Sequence, residues 1–107
     1  MAGGDINKYM KTHYLMIKVH NVTGLKYLCK KTTDDVRKCY RYLGSGKFWQ
    51  RHLIKHGKDI TTTIIESSQN LEKFAQRALY WSKFYDVVNS LDWANLIEET
   101  GSNKNDT

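Results

Sequence analysis

The sequence predicts an α+β domain: a small three-stranded antiparallel sheet flanked by helices, in the order β-β-α-α-β-α. Three observations carry this. Two apolar runs rich in strand formers, residues 13–20 and 25–30, flank the turn Asn21-Val22-Thr23-Gly24. A β-branched run, ITTTIIES, follows at 60–67. Apolar residues recur at helical spacing in the stretches between and after these runs.

HYLMIKVH (13–20) is the first strand, and LKYLCK (25–30) returns beside it after a turn whose Gly24 suits a positive φ. Thr32 or Thr33, followed by Asp34-Asp35, starts a helix with its acids at the positive end of the dipole. Val36, Cys39, Tyr40 and Leu43 share one face of it, and Gly44-Ser45-Gly46 ends it. Phe48–His56 is a second short helix, stopped by Gly57. Its apolar side is Phe48, Trp49, His52 and Leu53, and Lys47, Arg51 and Lys55 line the other. After the third strand, Ser68 or Asn70 caps a longer helix running to about Tyr85. Leu71, Phe74, Ala75, Ala78, Leu79, Ser82 and Tyr85 form its apolar face. Trp93 anchors a packed C-terminal extension. The domain is expected over residues 13–97, with a flexible segment at 1–12 and a loose polar tail at 98–107. The 107 residues contain no proline, so Gly, Asn, Asp and Ser must build every turn.

Charge divides the chain. Residues 1–59 hold 13 Lys/Arg against 4 Asp/Glu, and residues 60–107 hold 4 against 7, which sums to the net +6. A chain basic over half its length is not an acidic solvating protein, and it suits a polyanionic partner, above all nucleic acid. Two cysteines, Cys29 and Cys39, are too few for a disulfide scaffold. The opening Met1-Ala2-Gly3-Gly4-Asp5 has no apolar core of a secretory signal. The cysteines are therefore expected to be reduced and the location cytoplasmic, with no membrane partner.

Tyr14-Leu15-Met16 and Tyr27-Leu28-Cys29 stand 13 residues apart on the two strands of the hairpin. Tyr42-Leu43-Gly44-Ser45-Gly46-Lys47, then Trp49, Arg51-His52 and Lys55-His56-Gly57, follow them. Over residues 13–97 this constellation resembles the GIY-YIG nucleases, in the branch found in phage and mobile elements. Ser90–Leu96 is similar to a C-terminal extension of that branch. The resemblance implies phosphodiester hydrolysis with one divalent cation, Mg²⁺ or Mn²⁺. A hairpin tyrosine deprotonates water, a helix arginine steadies the phosphate and a glutamate holds the metal.

Carried over by position, the second tyrosine is Tyr27, while the first falls on Met16, which has no acid–base chemistry. The glycines fall on Tyr14 and Cys29. The arginine is Arg37 or Arg51, and His52 lies next to the latter. The metal glutamate falls on Gln76, an amide; Glu72, one turn earlier, is the one acid on that helix face. The resemblance thus implies a degenerate, non-catalytic member that binds DNA through Lys30, Lys31, Arg37, Lys38, Arg41, Lys47, Arg51 and Lys55. Two other functions suit the same residues. One is an interaction or inhibitor protein that docks on a host nucleic-acid machine through the aromatic C-terminal half. The other is a working endonuclease or nickase using Tyr27 and Glu72.

Three further patterns have plainer readings. His52 and His56 are four apart on a helix, but Cys29 and Cys39 are spaced wrongly for a zinc finger. His52 is therefore expected against the hairpin, and His56 at the helix end or on phosphate. Tyr40, Phe48 and Trp49 read as core, with Tyr42 exposed. Trp81, Phe84, Tyr85 and Trp93 read as a packed aromatic cluster.

Overall fold

A computed structural model describes residues 10–101. Its elements are β1 (Thr12–His20), β2 (Lys26–Thr33), α1 (Arg37–Arg41), α2 (Lys47–His56), β3 (Ile60–Ser68) and α3 (Leu71–Phe84). The sheet is antiparallel in the order β2-β1-β3, with helices packed against it, as the patterning predicts. Among the described residues no helix is long and apolar enough to cross a membrane.

Strand alternation places two cores on opposite faces of the sheet. Leu15 and Leu28 pack with Phe74, Ala78, Val87 and Trp93 beneath α3. Met16, Tyr27 and Cys29 pack with Cys39, Trp49 and Leu53 beneath α1 and α2. On this second face β1 also buries Lys18 and His20 completely. The Lys18 ammonium donates to the Cys39 carbonyl (3.0 Å) and to Thr62 Oγ1 (2.8 Å), and burial lowers its pKa. A polar group here is tolerable because its hydrogen bonds are made.

The helix expected to run to Leu43 is only the five residues of α1. Side chains explain its late start. The Asp35 N–H donates to Thr33 Oγ1 (3.1 Å) and the Arg37 N–H to Asp35 Oδ1 (3.0 Å), so the acids cap the turn before the helix. Of the face predicted for it, Cys39 is fully buried and Leu43 partly, while Val36 and Tyr40 are exposed. Phe48 is exposed as well, so of the three aromatics expected in the core only Trp49 lies there. Of the two residues expected to cap α3, Ser68 and Asn70, it is Asn70 whose side chain accepts from the Lys73 N–H (2.9 Å). The loose tail expected from Glu98 is held over its first four residues, as described below; the rest of it lies outside the described residues, as do residues 1–9 of the N-terminal segment.

Candidate nucleic-acid interface

Tyr27 sits on β2 opposite Lys18 of β1, with its ring stacked on Trp49 of α2 at 5.4 Å and 13°. The Gly44-Ser45-Gly46 turn lies against both rings. A Cβ built on Gly44 would stand 2.8 Å from Trp49 Cδ1 and 2.9 Å from Tyr27 Cε2. One built on Gly46 would stand 2.7 Å from the Tyr27 hydroxyl. Gly44 also has φ +106°, a backbone that favours glycine. The two glycines therefore let the chain lie on an aromatic pair. The Trp49 indole N–H fixes the turn through the Leu43 carbonyl (2.7 Å), and the Gln50 amide does so through that of Gly44 (3.3 Å).

Burial pushes the Tyr27 phenol well above its ordinary pKa, reinforced by Cys29 and Tyr42, while hydrogen bonds from Ser45 and Gly46 act the other way. Tyr27 therefore stays protonated at neutral pH, with its oxygen accepting from Ser45 and Gly46. Burial likewise pushes the Cys29 thiol up to about 12, and both cysteines are free and buried, which makes neither a nucleophile.

A cleft of about 370 Å³ opens beside this turn. One wall is Tyr27, Cys29, Lys30, Tyr42 and the Ser45-Gly46-Lys47 turn that leads into α2. Gly46 caps α2 with no side chain, so the helix's first N–H groups have no side-chain acceptor there. The other wall is the segment Asn95–Thr100.

Backbone and side-chain bonds fix that second wall. The Lys26 N–H donates to the Asp92 carbonyl (2.9 Å) and the Ala94 N–H to that of Lys26 (2.7 Å). Asn95 then takes both backbone groups of Leu28. Its Oδ1 accepts the Leu28 N–H (2.9 Å), and its Nδ2 donates to the Leu28 carbonyl (2.8 Å). Further on, the Ser82 hydroxyl donates to the Glu99 carbonyl (3.1 Å) and accepts the Glu99 N–H (2.9 Å). The Gly101 N–H donates to Glu99 Oε1 (3.1 Å), and Lys83 stands 3.4 Å from the Glu98 carboxylate.

The residues singled out by sequence separate into groups. Tyr27, Lys30 and Lys47 meet in the cleft. Lys47, Arg51 and Lys55 recur every four residues along α2, which makes one row leading away from it. The Lys31 ammonium lies 4.8 Å over the Tyr42 ring, and Tyr42 is half-buried rather than exposed. Arg37 is exposed and doubly bound to Asp35 (both 3.0 Å), which holds that carboxyl down at about 2. Lys38 pairs loosely with Asp34 (3.8 Å), and Arg41 is exposed. Neither Arg37 nor Arg51 lines the cleft. Met16 is fully buried opposite Cys29. Glu72 and Gln76 are both exposed on α3 and neither lines the cleft.

The acidic residues that line the cleft with Tyr27 are Glu98 and Glu99, which the sequence reading assigns to a loose tail. No local pattern marks them, because the contact that sets their wall joins Asn95 to Leu28 across 67 residues.

His52 packs against the hairpin turn, where its Nε2 lies 2.7 Å from Thr23 Oγ1 and its ring 4.8 Å from that of His20. His20 bonds the Gly57 carbonyl at 3.0 Å, so these rings tie the hairpin to the end of α2. His56 is exposed there, its ring 4.5 Å from that of His52. Among the described residues no three His, Cys, Asp or Glu side chains are placed to hold a metal ion together. In the aromatic cluster Trp93 is buried, Trp81 and Tyr85 are half-buried, and Phe84 is exposed. Compared with family models, curated proteins and solved structures, the chain matches none of them.

Proposed function

We propose that this protein binds the phosphate backbone of DNA in the cleft between the Gly-Ser-Gly turn and the C-terminal segment. The observation that carries the reading is the convergence of Lys47, the uncapped start of α2 and the Tyr27 phenol in one cleft. Backbone N–H groups at a helix start, a lysine and a protonated phenol are all donors suited to phosphate oxygens. Arg51 and Lys55 extend the donors along α2, at a spacing that follows a nucleic-acid strand away from the cleft. The resemblance to GIY-YIG nucleases supports the same partner.

Salt dependence tests it. Each phosphate neutralised contributes a slope of roughly −0.9 in log K against log salt. The Lys47→Ala/Arg51→Ala/Lys55→Ala variant should reduce the steepness by about 3. Absence of binding at low salt, or an unchanged slope in the triple variant, defeats the reading.

One observation favours a second reading, metal-dependent phosphodiester cleavage: Glu98 and Glu99 are among the residues that line the cleft with Tyr27. A hard cation such as Mg²⁺ needs only one or two carboxylates when water and phosphate complete its shell. Incubation of plasmid with Mg²⁺ or Mn²⁺ should then give nicks that Glu98→Gln/Glu99→Gln abolishes and Glu72→Gln leaves intact. No cleavage by the unmodified chain ends this reading and leaves the binding one standing.

A further inference from the structure

The two edges of the sheet are treated differently. The β2 edge is covered by the C-terminal segment through Lys26, Leu28 and Asn95. Among the described residues the backbone of β3 is paired to β1 alone. Natural edge strands are blunted by lysine, proline, short length or a covering element. β3 is nine residues long and contains neither lysine nor proline. Its one charge, Glu66, is bound by the Arg77 guanidinium (2.7 and 2.9 Å) and the Trp81 indole N–H (2.9 Å). Its one irregularity is at Ile65, which is skipped where the register passes from Ile64 to Glu66. Ile60–Ile64 is regular and neutral.

That stretch reads ITTTI, the same in both directions. We propose that the β3 edge is a homodimer interface, in which two copies pair antiparallel about Thr62 and join their three-stranded sheets into one. In this register Ile60 stands opposite Ile64 of the second copy, Thr61 opposite Thr63 and Thr62 opposite Thr62. Paired β-branched residues and threonines are favourable cross-strand neighbours. Antiparallel pairing continues the alternation by which β3 already runs antiparallel to β1, and it keeps Lys58 of one copy away from Lys58 of the other. The arrangement is a closed two-fold one in which both free edges are used at once.

Sedimentation of the full chain in moderate salt, from micromolar to half-millimolar, reads the result. The mass should rise with concentration from 12.5 kDa towards twice that value. Thr61 and Thr63 are both exposed, so they accept charge without disturbing the core. Thr61→Lys/Thr63→Lys sets like charges opposite one another at both pairs and should weaken the dimer by about tenfold or more. Thr61→Lys/Thr63→Glu sets opposite charges there and should dimerise like the parent. Amide exchange over Ile60–Ile64 in the unmodified chain should slow as concentration rises. A mass of 12.5 kDa throughout overturns the proposal. So does a dimer that both variants affect equally, or one that leaves β3 exchange unchanged.

Discussion

Gly46→Ala isolates the contact on which the candidate site is built. The backbone at Gly46 has φ −62° and ψ 137°, which any residue adopts, so no conformational strain enters. The methyl would stand 2.7 Å from the Tyr27 hydroxyl and 2.8 Å from Cε1, and the ring cannot retreat because Trp49 is stacked on it and is fully buried. Overpacking of this kind costs about 1–3 kcal/mol. The reduced freedom of the unfolded chain returns roughly 0.4–1 kcal/mol. The net loss is ~1–2 kcal/mol, which in a domain of this size lowers Tm by roughly 4–15 °C. Thermal melts measure the loss, and near-UV circular dichroism reports the displaced Tyr27–Trp49 pair. Tyr27→Phe removes the closest contact, so the cost of Gly46→Ala should shrink in that background by roughly 0.5 kcal/mol or more. A Gly46→Ala protein as stable as the parent, or an undiminished cost beside Tyr27→Phe, would refute the reasoning.

Acid should destabilise the fold. His52 has a pKa lowered by burial, then by His56, His20 and Lys55, so the unfolded chain takes up its proton first and stability falls as pH drops below about 6.5. His52→Gln should flatten that slope in melts; an unchanged slope would move the effect to His13, whose pKa burial also lowers. At high pH the Cys29 thiol stays protonated in the fold, so its stabilising effect is complete below pH 9.0 and is lost as pH rises towards about 12. Cys29→Ala should remove part of that alkaline loss in urea titrations, and an identical alkaline limb would reject the assignment. Asn95→Ala orphans the buried N–H and C=O of Leu28 and should cost roughly 2–5 kcal/mol in denaturant midpoint, while a cost below about 1 kcal/mol would mean that water replaces the amide.

What the sequence made legible follows from locality. β1, β3, α2 and α3 announce themselves because alternation, helical spacing and the Asn70 cap each act within a few residues. Helical spacing overstates α1 because it ignores Thr33 and Asp35, whose side chains satisfy the local N–H groups before a helix begins. Spacing alone puts Tyr40 and Phe48 in the core. With one turn of α1 only Cys39 is fully buried, and on α2 the buried stripe is Trp49 and Leu53, which leaves Phe48 at its margin. Tyr27, Lys30 and Lys47 were findable from the tripeptide and Gly-Ser-Gly-Lys strings. Glu98 and Glu99 were not, since their wall is set by Asn95 meeting Leu28 across 67 residues, and no local pattern encodes such a contact.

The covered edge and the cleft have one cause. A segment that paired with β2 as a full strand would run on past Leu28 and fill the space beside Lys30. Asn95 instead uses its side chain in place of a backbone partner, accepting the Leu28 N–H at Oδ1 and donating from Nδ2 to the Leu28 carbonyl. The chain is then free to leave the edge and line the cleft as it runs to α3, where Ser82 holds Glu99. Pairing that ends early both closes the sheet edge and opens the site. Deleting the segment from Asp92 onward would therefore expose an edge strand and erase a cleft wall together, and loss of function in such a truncation would say nothing about the acids. Glu98→Gln/Glu99→Gln separates the two, because the bonds that hold the edge run through the Asp92 carbonyl, the Ala94 N–H and the Asn95 amide and involve neither carboxylate.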